Sequence, residues 1–409
     1  MSYLTHLECS SCGTRYPADR LQANTCADGG LLEAQYDLQR IRDEISRDAI
    51  EEGPSSLWRY AALLPADNPA KAVTLSEGWT PLLNAPGLGA AFGCRNLLIK
   101  DEGRNPSGTF KDRGASVAAT RLRELGATTI AHNSSGNAAG SWGLYAARAG
   151  LDCVNLVPDD VLPSSLQQSV LSGARTRMLS GHWKESGRLI REAVERHGWF
   201  NIGTLKEPHR LEGKKTMGLE ICEQLGWRLP DVIVYPTGGG LGAIAIYKAF
   251  RELIALGWVE ARPLPKLIVA QYEGCAPIVK AFRDGKDHAE TWEALDVLPG
   301  GLKSTSPPGD RAVLQILKET SGSAYTATND EAIAAVQQIT AAEGIFPCPE
   351  SATTLVALKK ALNENMVSSD STIVLLSTGS GLKSVEVLPP AAYVSVRAED
   401  GLTEERDDG

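Results

Sequence analysis

Lys111 stands in an unusual setting for a lysine. The segment Asn105-Pro106-Ser107-Gly108-Thr109-Phe110-Lys111-Asp112-Arg113-Gly114 puts a Pro and a Gly in a turn at the mouth of a helix, with Lys111 in the first helical turn. Helix N-termini favour anions, so a cation there is disfavoured and its amine pKa is lowered. A partly neutral amine is what a lysine needs to act as a nucleophile or to form a Schiff base. Taken alone, the residue also reads as a surface lysine beside Asp112 and Arg113.

Other loops carry complementary chemistry. His132-Asn133-Ser134-Ser135-Gly136-Asn137-Ala138-Ala139-Gly140 follows a strand and opens a helix. Its hydroxyls and backbone N–H groups suit a carboxylate or a phosphate, and the Asn137 amide can donate to an aromatic oxygen; a Ser N-cap on a plain turn is the alternative. Pro236-Thr237-Gly238-Gly239-Gly240-Leu241-Gly242-Ala243 has four glycines in five positions, Gly238 to Gly242, between a strand and a helix. Missing side chains let the N–H groups reach a phosphate. The same stretch satisfies G-x-G-x-x-A through Gly238, Gly240 and Ala243, so a dinucleotide is considered. The acid after the next strand, Glu273, lies beyond the usual spacing of about 20 residues, which weakens that reading. Leu375-Leu376-Ser377-Thr378-Gly379-Ser380-Gly381-Leu382-Lys383 ends another strand, and a neutral Thr378 hydroxyl there can hydrogen-bond a heteroaromatic nitrogen; a plain Gly-rich loop is the alternative. A lysine nucleophile, a phosphate cradle, a carboxylate cradle and a neutral partner for a ring together fit pyridoxal 5'-phosphate and an amino acid.

The elements that must position these loops alternate. Strands are expected at Asn96–Lys100, Thr128–His132, Asp152–Val157, Val232–Tyr235, Leu267–Gln271 and Thr372–Leu376. Helices are expected at Phe110–Leu125, Ala138–Ala149 and Ala243–Leu256, with a mixed-charge helical stretch at Leu38–Glu51. Strand–turn–helix repeats of this kind argue for an α/β fold of parallel sheets covered by helices. In such sheets ligands bind at the carboxyl ends of the strands, where each of these motifs falls.

The chain has 409 residues with 43% hydrophobic and 22% charged content, ordinary for a globular protein of two or three domains. Net charge is -9, which argues against a nucleic-acid or membrane-surface role. No stretch approaches the ~18 apolar residues of a membrane span, and the start carries no signal-peptide pattern, so the cytoplasm is the expected location. The eight cysteines are scattered, which argues against a disulfide framework. Glu399, Asp400, Glu404, Glu405, Asp407 and Asp408 mark an acidic tail over 391–409, read as solvated and disordered.

The ordered set Asn105–Gly114, Ser134–Asn137, Arg210-Leu211-Glu212-Gly213-Lys214-Lys215-Thr216, Pro236–Gly242, Glu343-Gly344-Ile345-Phe346-Pro347-Cys348-Pro349-Glu350-Ser351-Ala352 and Thr378–Lys383 resembles the threonine synthases, within the tryptophan-synthase-β-like, fold type II group of pyridoxal-phosphate enzymes. The resemblance spans roughly residues 7 to 385. It implies two doubly wound open-sheet domains with the cofactor between them. The large domain is expected over 76–125 and 211–390, the small substrate-side domain over 126–210, and an N-terminal segment over 1–75. It also implies that Lys111 is the Schiff-base lysine and proton carrier, that Asn137 meets the ring hydroxyl, that Gly238, Gly239, Gly240, Leu241 and Gly242 hold the cofactor phosphate, and that Thr378 meets the pyridine nitrogen. Ser134 and Ser135 fall in the loop for the substrate carboxylate, and Lys206 and Arg210 offer charge to a substrate phosphate. The implied reaction is the lyase conversion of O-phosphohomoserine and water to threonine and phosphate, in threonine biosynthesis, by a homodimer. Another fold type II lyase or β-replacement enzyme, such as a serine or threonine dehydratase or a cysteate-synthase-like enzyme, is the alternative. Cys9, Cys12, Cys26 and Asp28 resemble a zinc knuckle with one pair displaced, and the expectation is a degenerate turn with no metal.

Overall fold

The computed structural model describes residues 2–23, 25–181, 183–293, 296–390, 393 and 395. The acidic residues of the expected tail, Glu399 to Asp408, lie outside the described residues. Strands gather into three sheets. The six-stranded sheet runs in the order Ser323–Ala327, Lys266–Tyr272, Val232–Pro236, Thr372–Ser377, Asn96–Asp101 and Leu82–Asn84. All neighbours are parallel except the edge strand Leu82–Asn84. Its central strands are buried nearly end to end, as expected where helices cover both faces. A four-stranded parallel sheet runs Arg175–Leu179, Asp152–Pro158, Thr129–Asn133 and Phe200–Asn201. A small antiparallel sheet, Arg15–Tyr16, Leu4–Cys9 and Leu32–Tyr36, lies at the N-terminal end.

The expected helices form at Lys111–Glu124, Asn137–Ala149 and Leu241–Leu256. The helical stretch expected over Leu38–Glu51 is two helices, Leu38–Glu44 and Arg47–Glu51. Ile45 turns extended between them, and the Ser46 side chain accepts the Ala49 N–H to start the second. A Ser cap outcompetes helix continuation because it satisfies an N–H that would otherwise have no partner.

Helix Lys111–Glu124 is fixed by a buried charge network. Arg113 donates to Glu102 through Nε (2.6 Å) and Nη2 (2.8 Å), and to Glu220 through Nη1 (2.5 Å) and Nη2 (2.7 Å). Lys100, on the strand Asn96–Asp101, donates to Glu220 as well (2.7 Å). The side chains of Arg113, Lys100, Glu102 and Glu220 are 0% exposed. Two cations thus balance two anions with no water needed, and the paired charges hold the Arg113 guanidinium well above its usual pKa despite burial. Asp112 is also buried: Ser107 N–H and the Ser141 hydroxyl each donate to it at 2.6 Å. Residues that resemble surface decoration in sequence are therefore the anchors of the turn.

Removing one partner of a buried pair leaves the other uncompensated. Arg113→Met is expected to lower unfolding free energy by roughly 3–5 kcal/mol. Equilibrium urea denaturation followed by circular dichroism checks this.

Candidate active site

The parallel register sets the loops side by side. Leu376 pairs with Lys100 and Ser377 with Asp101, so the Asn105–Lys111 turn and the Thr378 loop leave adjacent strand ends. Phe110 N–H donates to Thr378 O (3.0 Å), and Ser380 N–H to Gly108 O (2.9 Å). Gly108 takes φ +82°, a conformation that L side chains rarely adopt. These bonds clamp Lys111 against Thr378.

Lys111, Ser134, Ser135, Asn137, Gly238, Gly239, Gly240, Leu241, Gly242, Thr378 and Lys206 all line one cavity of about 560 Å³. That volume lies within the range of small-molecule sites. Burial, helped by the charge of Arg210 and opposed by Glu350, pushes the Lys111 amine down to about 8. Its Nζ lies 4.6 Å from the centre of the Phe110 ring. Thr378 Oγ1 lies 3.3 Å from Ser351 Oγ, a neutral contact that leaves the hydroxyl able to serve a further partner. The Asn137 carbonyl oxygen accepts the Ser165 hydroxyl (3.0 Å), which orients its amide nitrogen. The Ser134 hydroxyl oxygen accepts the N–H groups of Gly136 (3.2 Å) and Ala139 (3.1 Å). Ser134 is therefore a helix cap, and its own O–H proton stays available to an acceptor.

The cations near the substrate side separate. Lys206 lines the cavity and is exposed. Arg210, expected beside it, is not among the lining residues. Its side chain is buried, donates to Ile202 O, and lies 5.8 Å from the Trp142 ring centre. Its distance effect is electrostatic, through Lys111 and through His132, whose imidazole burial pushes down to about 3 with the help of the Arg210 charge. Arg191, Lys214 and Lys303 line the cavity instead. So do Tyr235 and Glu350, neither of which the motif reading singled out as a site residue. Lys214 is buried, 3.8 Å from the Phe110 ring centre, and burial with the nearby Lys111 charge holds its amine well below the usual lysine range.

The glycine loop meets a specific test for a phosphate. Among the described residues, the backbone N–H groups of Gly238, Gly239 and Gly240 have no acceptor within the protein, and neither has the buried Tyr235 hydroxyl. A Cβ at Gly240 would come within 2.9 Å of Val313 Cγ2, and one at Gly242 would collide with Tyr235 Oη. Unpaired donors at the start of helix Leu241–Leu256 form a ready anion site.

Comparison with known proteins agrees with this geometry. Residues 73–379 match the family described as pyridoxal-phosphate dependent enzyme. The chain belongs to the pyridoxal-phosphate dependent enzyme family. It is 33% identical over 392 residues to a threonine synthase of Methanocaldococcus jannaschii, covering 96% of each chain. It is 34% identical to a threonine synthase of Methanosarcina acetivorans, covering 94% of this chain and 93% of that one. The structure of maize serine racemase shares the fold with a TM-score of 0.63 at 20% identity, over 74% of this chain and 88% of that one. The fold is thus that of the fold type II pyridoxal-phosphate enzymes, and pyridoxal phosphate is the cofactor of this family member. Among the described residues no helix is long and apolar enough to cross a membrane.

A lowered pKa means that the neutral Lys111 amine becomes abundant as pH rises through about 8. In the cofactor-free protein, competitive labelling with acetic anhydride and peptide mapping is expected to give Lys111 a midpoint there.

Proposed function

We propose that this enzyme converts O-phosphohomoserine and water to threonine and phosphate. The observation that carries the reading is the cation set of the cavity. Lys206 and Arg191 line it in addition to Lys111, with Lys303 nearby paired to Asp160 (2.9 Å), while the glycine loop already provides a separate, uncharged phosphate cradle. A site for serine or threonine alone has no dianion to neutralise; a substrate bearing its own phosphate does. The threonine synthases at 33–34% identity support the same choice.

In this reading the N–H groups of Gly238, Gly239, Gly240, Leu241 and Gly242, with the Tyr235 hydroxyl, hold the cofactor phosphate. Asn137 donates its amide to the ring hydroxyl. Thr378 offers the ring nitrogen a hydrogen bond without protonating it. When bound, pyridoxal phosphate supplies an electron sink for the substrate carbons. Lys111 carries the cofactor and then serves as the base that removes and returns protons at Cα and Cβ. An amine near pKa 8 suits this work, because it is partly neutral near neutral pH and readily reprotonated. The Ser134 and Ser135 hydroxyls take the substrate carboxylate. Lys206 and Arg191 stabilise the phosphate as it leaves from Cγ, and charge-assisted contacts of this type are the strong ones. Arg210 acts as a positioning residue that sets the local field. We assign the carboxylate and its loop to a small domain over 126–210, and the cofactor cradle to a large domain over 76–125 and 211–390. The resemblance extends the reading to a cytoplasmic homodimer.

Phosphate release from O-phosphohomoserine, with threonine measured as product, tests the reading. Both are expected in equal amounts, and Lys111→Ala is expected to abolish both. Arg191→Ala and Lys206→Ala are expected to raise KM for O-phosphohomoserine by about tenfold each, the effect of losing one charge-assisted contact of roughly 1.5 kcal/mol. Turnover of serine or threonine to ammonia with no reaction of O-phosphohomoserine would overturn the assignment in favour of a dehydratase.

A further inference from the structure

The small N-terminal sheet carries chemistry that the reaction does not use. Two tight turns face each other there. The first, Cys9 to Gly13, follows the strand Leu4–Cys9, and Gly13 N–H closes it onto Cys9 O (3.0 Å) with φ +70°. The second, Cys26 to Gly30, precedes the strand Leu32–Tyr36, and Gly29 N–H closes it onto Cys26 O (2.9 Å) with φ +84°. Ser10 N–H donates to Leu31 O (2.8 Å) and ties one turn to the other.

The turns bring Cys9, Cys12, Cys26 and Asp28 together, with one donor atom from each within 4.8 Å of all the others. Cys12 Sγ and Cys26 Sγ lie 3.6 Å apart, and Cys9 Sγ lies 3.4 Å from Asp28 Oδ1. A tetrahedral zinc ion with bonds of about 2.3 Å to sulfur and about 2.1 Å to oxygen needs sulfur–sulfur edges of about 3.8 Å and sulfur–oxygen edges of about 3.6 Å. These two separations are close to those edges, and all four donor atoms lie within 4.8 Å of one another. They do not fit a disulfide, whose bond is about 2.05 Å, and all these cysteines are free.

The surroundings suit thiolates and a carboxylate. Ser11 N–H donates to Cys9 Sγ (3.4 Å), the Tyr16 hydroxyl to Cys26 Sγ (3.0 Å), and Gly30 N–H to Asp28 Oδ1 (2.8 Å). Donors of this kind orient metal ligands from outside. Gly30 keeps the space open: a Cβ there would run into Cys9 Sγ and come within 2.7 Å of Ser11 Oγ.

We propose that Cys9, Cys12, Cys26 and Asp28 bind one structural zinc ion. Soft thiolates with one hard oxygen match zinc, and four protein ligands leave no position open for catalysis. The displaced Cys26 favours a degenerate turn without metal from sequence alone; the geometry brings Cys26 and Asp28 within 4.8 Å of Cys9 and Cys12 all the same. The ion would tie together the two turns at one end of the sheet, where Cys9 pairs with Leu32. That sheet is docked on the enzyme body by Tyr36 donating to Glu212 (2.9 Å) and by Lys248 and Arg121 donating to Ala34 O (2.5 Å) and Ala18 O (2.8 Å).

The test uses the full-length holoenzyme, made without a histidine tag in zinc-supplemented medium. Elemental analysis is expected to find about one zinc per chain. Replacement by cobalt is expected to give the visible bands of tetrahedral thiolate-bound Co(II), at wavelengths longer than the cofactor absorbs. Cys12→Ser with Cys26→Ser is expected to lose the metal and lower Tm while keeping the cofactor absorbance. If that variant does not fold, Cys12→Ser alone, at an exposed position, is expected to weaken zinc against a competing chelator by more than about tenfold. A metal-free wild type, iron in place of zinc, a Cys12–Cys26 disulfide by thiol counting, or unchanged zinc in the variants would each overturn the proposal.

Discussion

The site depends on the buried pairing of Arg113 with Glu102 and Glu220. Arg113 sits two residues after Lys111 on the same helix, and its fork spans an acid after the strand Asn96–Asp101 and an acid on the helix His209–Gln224. Three separate parts of the chain are therefore locked within hydrogen-bond distance of one guanidinium. Such a network adds little stability over an apolar core of the same volume, but it tolerates only one arrangement. What it holds in place is the direction of the helix that starts with Lys111.

That placement sets the electrostatics of the cavity. Lys111 and Lys214 both come near the Phe110 ring; burial lowers the proton affinity of each, with the Arg210 charge adding to the effect on both and the Lys111 charge adding to that on Lys214. Glu350, whose carboxylate accepts the Gly301 N–H (2.9 Å), pulls the other way on Lys111. The balance leaves a lysine near pKa 8, between a permanent cation and an inert amine. Arg210 contributes to that balance from a buried position without lining the cavity.

Much of this was legible in the sequence because the chemistry lies in loops between strongly patterned elements. The apolar runs at Val232–Pro236 and Thr372–Ser377 and the glycines after the first of them mark both the sheet and the phosphate cradle. Less regular parts were not legible. The strand Arg175–Leu179 is charged and largely exposed at a sheet edge, so it lacks the apolar signal of a buried strand. Ser323–Ala327 is buried but built of small and polar residues. Tyr235 reads as a strand residue, and only the tertiary structure shows its hydroxyl unpaired beside the glycine loop. Arg210 illustrates the converse: a cation next to the expected substrate region is turned away by helix His209–Gln224, whose residues up to Glu223 are all buried.

The account rests on Lys111, rather than its buried neighbour Lys214, as the lysine that carries the cofactor. Borohydride reduction of the holoenzyme followed by peptide mass spectrometry distinguishes them directly. The account predicts the phosphopyridoxyl group on Lys111 alone. Its recovery on Lys214, or on neither lysine, would contradict it.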